Sequence, residues 1–293
     1  MLGLIGRGIG ASLTPALHEE EGRRQGLIVH YQLVDFDRSG AGDEALKPLV
    51  LLLGTIGFAG VNVTYPFKQA VIALLDRLSP EAEAIGAVNT VVVERGGLVG
   101  HNTDASGWRY GLEHGLPGAD LSRVVLVGAG GAGAAVAYAL GTLGAESVVI
   151  LDRAPERAEE LARRAARTHP KTHYSTAPIS KLAFSAATGV VQATPVGMHK
   201  LPGMPFDPEW LPERAWVNDI VYFPIETALL AAARARALRV LDGGAMAVGQ
   251  AAAAFEHFTG RPANVERMRQ HFMQLLRERK EPDAAQAQTG TPG

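Results

Sequence analysis

The stretch GVNVTYPFKQ, residues 60–69, ends an apolar run with groups that do chemistry. Gly60, Val61 and Val63 read as the end of a buried strand, yet Asn62 and Thr64 interrupt it with an amide and a hydroxyl. Pro66 stops any sheet ladder, and Lys68 adds an amine two residues later. Three other segments share this character: GASLTP (10–15), GAVNT (86–90) and GHNTD (100–104). Each sets Ser, Thr, Asn or Asp at a strand end or turn. Together they suit a small polyhydroxylated ligand, which is held by many directed hydrogen bonds and few apolar contacts.

A second chemistry is written in VGAGGAG, residues 127–133. Gly128, Gly130 and Gly133 take the G-x-G-x-x-G spacing, with Ala129, Gly131 and Ala132 between them. The apolar run VVLV precedes the turn, a small-residue helix follows, and the next strand ends at Asp152, about 20 residues on. The glycines permit a tight turn and close approach of a pyrophosphate, and the helix N-terminus offers free N–H groups to it. Asp152 is placed to accept hydrogen bonds from both ribose hydroxyls and to repel a 2′-phosphate, which favours NAD over NADP. Arg153 and Arg157 pull the other way, because either can pair with a phosphate, although Arg153 can equally lie over the adenine. A glycine-rich helix–strand contact without a ligand is the alternative, and the complete context of the fingerprint argues against it.

The elements that must position these groups alternate between strand and helix, the mark of an α/β protein. LGLIG opens as a strand, and Thr14-Pro15 begins a helix as N-cap and first residue. VHYQLVDF reads as a strand, Asp43 to about Ile56 as a helix ended by Gly57, and GVNV as a strand. Pro66 to Asp76 reads as a helix. Residues 87–94 and 97–99 form a hairpin around Arg95-Gly96. A second unit follows: helix 105–115, the VVLV strand with its glycine turn and helix, the strand ESVVILD, and the helix APERAEELARRAA. GVVQAT and WVNDIV are further strands, followed by the helix TALLAAARARA and the short strand RVLD. Residues 245–258 and 264–280 read as helices, and the last dozen residues as a disordered tail.

Composition narrows the function classes. The chain has 293 residues, 47% of them hydrophobic, enough for one large or two ordinary domains. A net charge of −2 and 20% charged residues give no basic surface for nucleic acid. There is no cysteine, so disulfides, thiolate catalysis and cysteine metal sites are excluded. His169 and His173 are four apart with Pro170 between them, which argues against a helical metal face, and no metal site is expected. MLGLIGRGIG lacks the pattern of a signal peptide, and the longest apolar stretch contains Lys, Pro and Gly and falls short of a membrane span. The expectation is a cytoplasmic protein without membrane or nucleic-acid partners, a monomer or homodimer.

In order, NVTYPFK, IGAVNT, GHNTD, GAGGAG, ATPVGM, NDIVY and DGGAMAVGQ with AFEHFTG closely resemble the shikimate dehydrogenase family over about residues 2–275. The resemblance implies a two-domain fold. An N-terminal α/β substrate domain, 1–103 plus 243–281, would receive the C-terminal helices. A Rossmann dinucleotide-binding domain, 104–242, would lie between, leaving a tail at 282–293. It implies that Ser12 and Thr14 bind a substrate carboxylate, and that Asn62, Thr64, Asn89 and Gln250 contact ring hydroxyls. Lys68 and Asp104 match the catalytic pair, and Gly243, Met246 and Val221 border the nicotinamide. The reaction implied removes a hydroxyl proton while hydride leaves the same carbon for the cofactor. A free lysine titrates near ~10.4, so a lysine base needs desolvation, and a carboxylate partner orients it.

Ser12-Leu13-Thr14 and Asp152-Arg153-Ala154 resemble the NAD-preferring quinate/shikimate dehydrogenase branch, which oxidises quinate to 3-dehydroquinate and shikimate to 3-dehydroshikimate. Gly244, Ala245 and Gly249 depart from the branch pattern, as if to enlarge the pocket. An NADP-dependent biosynthetic enzyme, an aminoshikimate dehydrogenase and a non-catalytic ligand-binding relative are the alternatives. The intact Lys68 and Asp104 argue against the last. Each site residue also has a plainer role open to it: Thr14 as an N-cap, Asn62 and Asn89 as turn partners, Lys68 on a solvated helix face, Asp104 as a helix cap, and His101 as local structure.

Overall fold

The computed structural model describes residues 1–288. Along the chain, the first half runs β1 (Leu2–Gly6), α1 (Thr14–Arg24), β2 (Tyr31–Asp35), α2 (Phe36–Ser39), α3 (Leu46–Leu52), β3 (Gly60–Val63), β4 (Arg77–Leu78), α4 (Pro80–Ile85), β5 (Thr90–Glu94), β6 (Gly97–His101) and α5 (Asp104–Gly115). The second half runs β7 (Val124–Val127), α6 (Gly131–Thr142), β8 (Ser147–Leu151), α7 (Pro155–Thr168), β9 (His173–Thr176), α8 (Lys181–Phe184), β10 (Gly189–Gln192), β11 (Trp216–Asp219), α9 (Ala228–Ala235), β12 (Val240–Leu241), α10 (Gly244–Thr259) and α11 (Val265–Gln288).

The strands form two six-stranded sheets. The first has the order β2-β1-β3-β5-β6-β4. Its β1 pairs in parallel with β2 and β3, while β5 runs antiparallel to β3 and β6. The second, β12-β11-β10-β7-β8-β9, is parallel throughout. Its central strands are buried on both faces, which is why they read as unbroken apolar runs. Counted from β7, the order is 3-2-1-4-5-6, with a switch point between β7 and β10 where ligands bind in doubly wound sheets.

The C-terminal helices return to the first half. Leu13 and Leu17 pack with Val248 and Ala251 of α10 and with Met268, Phe272 and Leu276 of α11. Between α5 and α10 the contact is backbone-close. A Cβ on Gly249 would stand 2.9 Å from Gly107 Cα, and one on Gly111 would stand 3.2 Å from Ala245 Cβ. Ala245 and Gly249, expected to widen a pocket, instead let these two helices touch. Arg164 of α7 donates to Ile85 O at 2.9 Å, joining the two halves on another side.

Two expectations need correction. Residues 66–76 are not an α-helix: after the cis Tyr65–Pro66 bond the chain makes a turn and then a 3-10 helix, Ala70–Leu74. The Lys68 carbonyl turns to accept the N–H of Val88 at 2.8 Å, and the Ile72 N–H bonds Gln69 O at 3.2 Å instead. Thr14 does not cap α1. The N-cap is Leu13, without a side-chain cap, and the Thr14 hydroxyl accepts instead from Ser12 Oγ at 3.0 Å. The backbone of α11 runs to Gln288 and so enters the expected tail, 282–293. The rest of that expected tail, 289–293, lies outside the described residues. Among the described residues, no helix is long and apolar enough to cross a membrane.

Candidate active site

Asp104 is the first residue of α5 and is 4% exposed. It does not cap that helix. The N-cap is Thr103, without a side-chain cap, and Asn102 before it serves the helix start, its Oδ1 accepting the N–H groups of Asp104 at 3.0 Å and Ala105 at 3.3 Å. The Asp104 carboxylate is therefore free for side chains. Lys68 Nζ donates to its Oδ2 at 2.5 Å, with the lysine side chain 17% exposed. Asn89 Nδ2 donates to its Oδ1 at 2.9 Å. The turn that carries Lys68 is fixed on both sides, by Val88 N–H on the Lys68 carbonyl and by Phe67, 2% exposed, in the core. Lys68 is thus a held, largely buried amine rather than a solvated one.

The two asparagines work mainly as scaffold. Asn89 Nδ2 also donates to Thr103 Oγ1 at 3.0 Å, and its Oδ1 accepts from Thr103 N–H at 2.8 Å and from Thr90 Oγ1 at 3.0 Å. Both of its donors are used, so in this geometry Asn89 orients Asp104. Asn62 Nδ2 donates to Asn89 O at 3.2 Å and Thr90 Oγ1 at 3.0 Å, and its Oδ1 accepts from the Tyr31 hydroxyl at 2.7 Å. One acceptor position on Asn62 remains for a ligand. Thr64 follows at the end of β3, its N–H tied to Ile5 O at 2.9 Å.

Ser12 and Thr14 sit at the start of α1 with their hydroxyls joined. Tyr222, on the loop after β11, faces them. Burial pushes its phenol up, the nearby Ser12 hydroxyl pulls it back, the Asp104 charge adds to the rise, and Arg279 opposes it. Burial likewise pushes the Tyr31 phenol well up, with Tyr222 adding to the effect. Ser12, Tyr31, Tyr222 and Asp104 therefore share one polar nest. Sequence reasoning missed Tyr31, Asn102 and Tyr222. An Asn just before a helix was a readable cap signal for Asn102; nothing local marks the two tyrosines. Gln250 lies on α10 against α5, its Nε2 donating to Ala247 O at 3.0 Å, with its backbone N beside Gly107.

The glycine turn borders this nest. Gly128, at φ 109°, abuts Ala193 at the end of β10, and a Cβ on Gly133 would collide with Gly128 O. Only glycine permits this turn. Gly130 caps α6 without a side chain, leaving the first N–H groups of α6 without a side-chain partner. Among the described residues, only Arg157 comes near Gly130 from outside its chain neighbours, its Nη2 3.7 Å from a built Cβ. The space where a side chain would stand is open to a phosphate, so the turn fits a dinucleotide. Asp152 Oδ2 accepts the Ala129 N–H at 2.7 Å, and its Oδ1 that of Ala154 at 2.9 Å. Each carboxylate oxygen keeps a lone pair. Arg153 and Arg157 are exposed. Gly131 brings the two sites together: a Cβ there would lie 3.1 Å from Lys68 Cβ. A groove of about 630 Å³ opens beside the turn, between Gln69 and Ile72 on one wall and Ala129, Arg157 and Leu161 on the other. Gly243 and Val221 also meet, a Cβ on Gly243 falling 2.8 Å from the Val221 carbonyl carbon. Met246 packs partly buried beside α5 and α6.

A dinucleotide turn at a switch point and a lysine–aspartate pair thus face each other, and the protein is an NAD(P)-dependent dehydrogenase acting on a CH–OH group. Residues 4–91 match the family model of the shikimate dehydrogenase substrate binding domain, 113–189 that of shikimate/quinate 5-dehydrogenase, and 245–271 that of the shikimate 5′-dehydrogenase C-terminal domain. The chain is 51% identical to a shikimate dehydrogenase (NADP(+)) of Streptomyces avermitilis, over 92% of this chain and 93% of the relative. It is 48% identical to a quinate/shikimate dehydrogenase (NAD(+)) of Corynebacterium efficiens, over 94% of this chain and 98% of the relative. Its fold is similar to that of quinate dehydrogenase from Corynebacterium glutamicum in complex with NAD, with a TM-score of 0.83 and 46% identity, covering 93% of this chain and 98% of that one. The chain belongs to the shikimate dehydrogenase family.

Proposed function

We propose that the protein oxidises quinate, shikimate or both with NAD, giving 3-dehydroquinate or 3-dehydroshikimate. The observation that carries this is the Lys68–Asp104 pair lying beside Gly131 of the dinucleotide turn. Ser12 and Thr14 hold the substrate carboxylate at the start of α1, where hydroxyls and the helix dipole favour an anion. Thr64, Gln250 and the remaining acceptor of Asn62 take ring hydroxyls. Lys68 takes the proton of the reacting hydroxyl, while Asp104, fixed by Asn89, holds the amine in line. Asp104 also balances charge as the amine gains a proton. The nicotinamide, when bound, accepts hydride from the same carbon. Gly128 to Gly133 and the start of α6 hold its pyrophosphate, with Gly243, Val221 and Met246 bordering the ring.

Asp152 supports NAD, because its carboxylate closes the turn where a 2′-phosphate would approach. The match to quinate/shikimate dehydrogenases (NAD(+)) from two Corynebacterium species agrees with it. Arg153 and Arg157, with the Streptomyces relative, favour NADP as the second reading. The division into residues 1–103 plus 243–281 and 104–242 follows the two sheets, and the cleft between them is the reaction site. The cysteine-free chain suits a reducing cytoplasm, as a monomer or homodimer. Lys68→Ala tests the reading: kcat is expected to fall about 10²- to 10⁴-fold, the range for loss of a positioned acid–base group, with little change in substrate KM. Retention of full turnover removes Lys68 from the reaction.

A further inference from the structure

Arg279 lies in the second half of α11, outside every motif above. Three observations bring it to the carboxylate end of the site. Its Nη1 donates to the carbonyl of Ala11, the residue before Ser12, at 2.5 Å. Its guanidinium sits 5.7 Å from the ring centroid of Phe223, the residue after Tyr222. Its charge also opposes the rise that burial imposes on the Tyr222 phenol. The side chain therefore spans from the loop that carries Ser12 to the loop that borders the nicotinamide.

The rest of α11 fixes that position. Arg267 makes a two-point contact with the buried Glu21 of α1, Nε to Oε2 at 2.8 Å and Nη2 to Oε1 at 2.6 Å. Met268, Phe272 and Leu276 bury one face against α1 and α10. Arg279 is one turn beyond Leu276 on that face. A guanidinium suits the place better than an ammonium, because its plane lies over an aromatic ring while its edge donates to a carbonyl. Of the basic side chains in the first half, Lys68 pairs with Asp104, and Arg7 with Asp37 and Asp43.

We propose that Arg279 is a specificity-determining positioning residue, which sets positive charge behind Ser12 and Thr14 and so selects substrates that carry a carboxylate. It acts through the Ser12 loop and the Tyr222–Phe223 loop, which it links across the cleft. The proposal rests on the reading that Ser12 and Thr14 hold the carboxylate.

The test compares the acid substrate with its methyl ester, in steady-state assays at low ionic strength, for the wild type, Arg279→Met, Arg279→Lys and Ser12→Ala. Arg279→Met is expected to raise KM for the acid about fivefold, the size for a half-exposed charge a few ångström away, and to leave kcat and the KM for ester and NAD⁺ nearly unchanged. Arg279→Lys should recover most of the affinity for the acid. The acid KM of the wild type should rise with salt more steeply than that of Arg279→Met. If Arg279→Met raises KM for acid and ester alike, its role is structural and the proposal fails. If Ser12→Ala loses the preference for acid while Arg279→Met keeps it, the carboxylate site stands and Arg279 has no part in it. If the wild type does not distinguish acid from ester, the carboxylate reading itself is wrong and the proposal falls with it.

Discussion

Replacing Asn89 tests whether Asp104, the partner of Lys68, is held from behind. The side chain is 3% exposed, so water does not readily take its place. In Asn89→Ala, the Thr103 N–H loses its acceptor and Asp104 Oδ1 loses its donor. The Thr90 hydroxyl still accepts from Asn62 and can turn toward Thr103 Oγ1, 3.4 Å away. Two buried groups are thus stranded, one of them on a charged acceptor. At about 1–3 kcal/mol for each, the loss of stability is about 2–6 kcal/mol. The measurement is urea unfolding of wild type and variant at pH 7, with kcat taken under conditions where both are folded. Asn89→Asp is the companion: it keeps the shape and the acceptor for Thr103, but sets a second carboxylate 2.9 Å from Asp104. Like charges at that distance compete for Lys68, and kcat is expected to fall at least about tenfold with the KM for NAD⁺ unchanged. A loss below about 1 kcal/mol in Asn89→Ala, with kcat retained, refutes the claim that Asn89 positions Asp104.

Two buried groups give pH dependences of opposite sign. His18 is fully buried among Tyr31, Phe255 and Phe258, neither ring nitrogen has a partner, and burial pushes it down to about 3. Below about 6.5 the unfolded chain takes up a proton that the folded one refuses, so stability is lost as pH falls, by roughly 4–5 kcal/mol down to pH 3. Acid-unfolding curves of His18→Phe should be flatter by that amount, and an unchanged acid slope contradicts the assignment. Asp219 is pushed up to about 6 by burial, against the Val221 N–H and Thr227 hydroxyl that favour its charge. The folded state holds its proton longer, so this contribution is present at low pH and lost as pH rises through about 4 to 6, roughly 3 kcal/mol in all. Asp219→Asn should therefore be more stable than wild type at pH 8 and equal to it near pH 4; equal stability at both would show that the carboxyl is not desolvated.

The parts of the molecule that were legible in the sequence are those set by local rules. The strands β7, β8, β10 and β11 show as apolar runs because both faces are covered, and the glycine turn shows because its backbone admits nothing else. What escaped depends on partners far away. The edge strand β9, HYST, is polar and carries no alternation to read. The short β4 exists through its pairing with β6. The stretch after Pro66 has helical composition, but Val88 takes the Lys68 carbonyl, and that bond is invisible locally. Helix α4 also escaped, although its signal is local: Ser79 before Pro80 is a cap pattern, and its Oγ accepts from Ala82 N–H at 3.1 Å. In the site, residue types pointed to Lys68, Asp104 and the hydroxyls of Ser12 and Thr14. The division of labour, with Asn89 as a support and Tyr222 facing Ser12, follows from contacts that only the fold creates. Ala245 and Gly249 looked like pocket residues because small side chains serve pockets and helix crossings alike.

The central claim is most directly tested by initial rates in a two-by-two design, quinate or shikimate with NAD⁺ or NADP⁺, following the reduced cofactor. The account predicts turnover of quinate, shikimate or both, with kcat/KM for NAD⁺ clearly above that for NADP⁺. Turnover of shikimate alone with NADP⁺ preferred would contradict it, and would mean that Arg153 and Arg157, rather than Asp152, decide the cofactor.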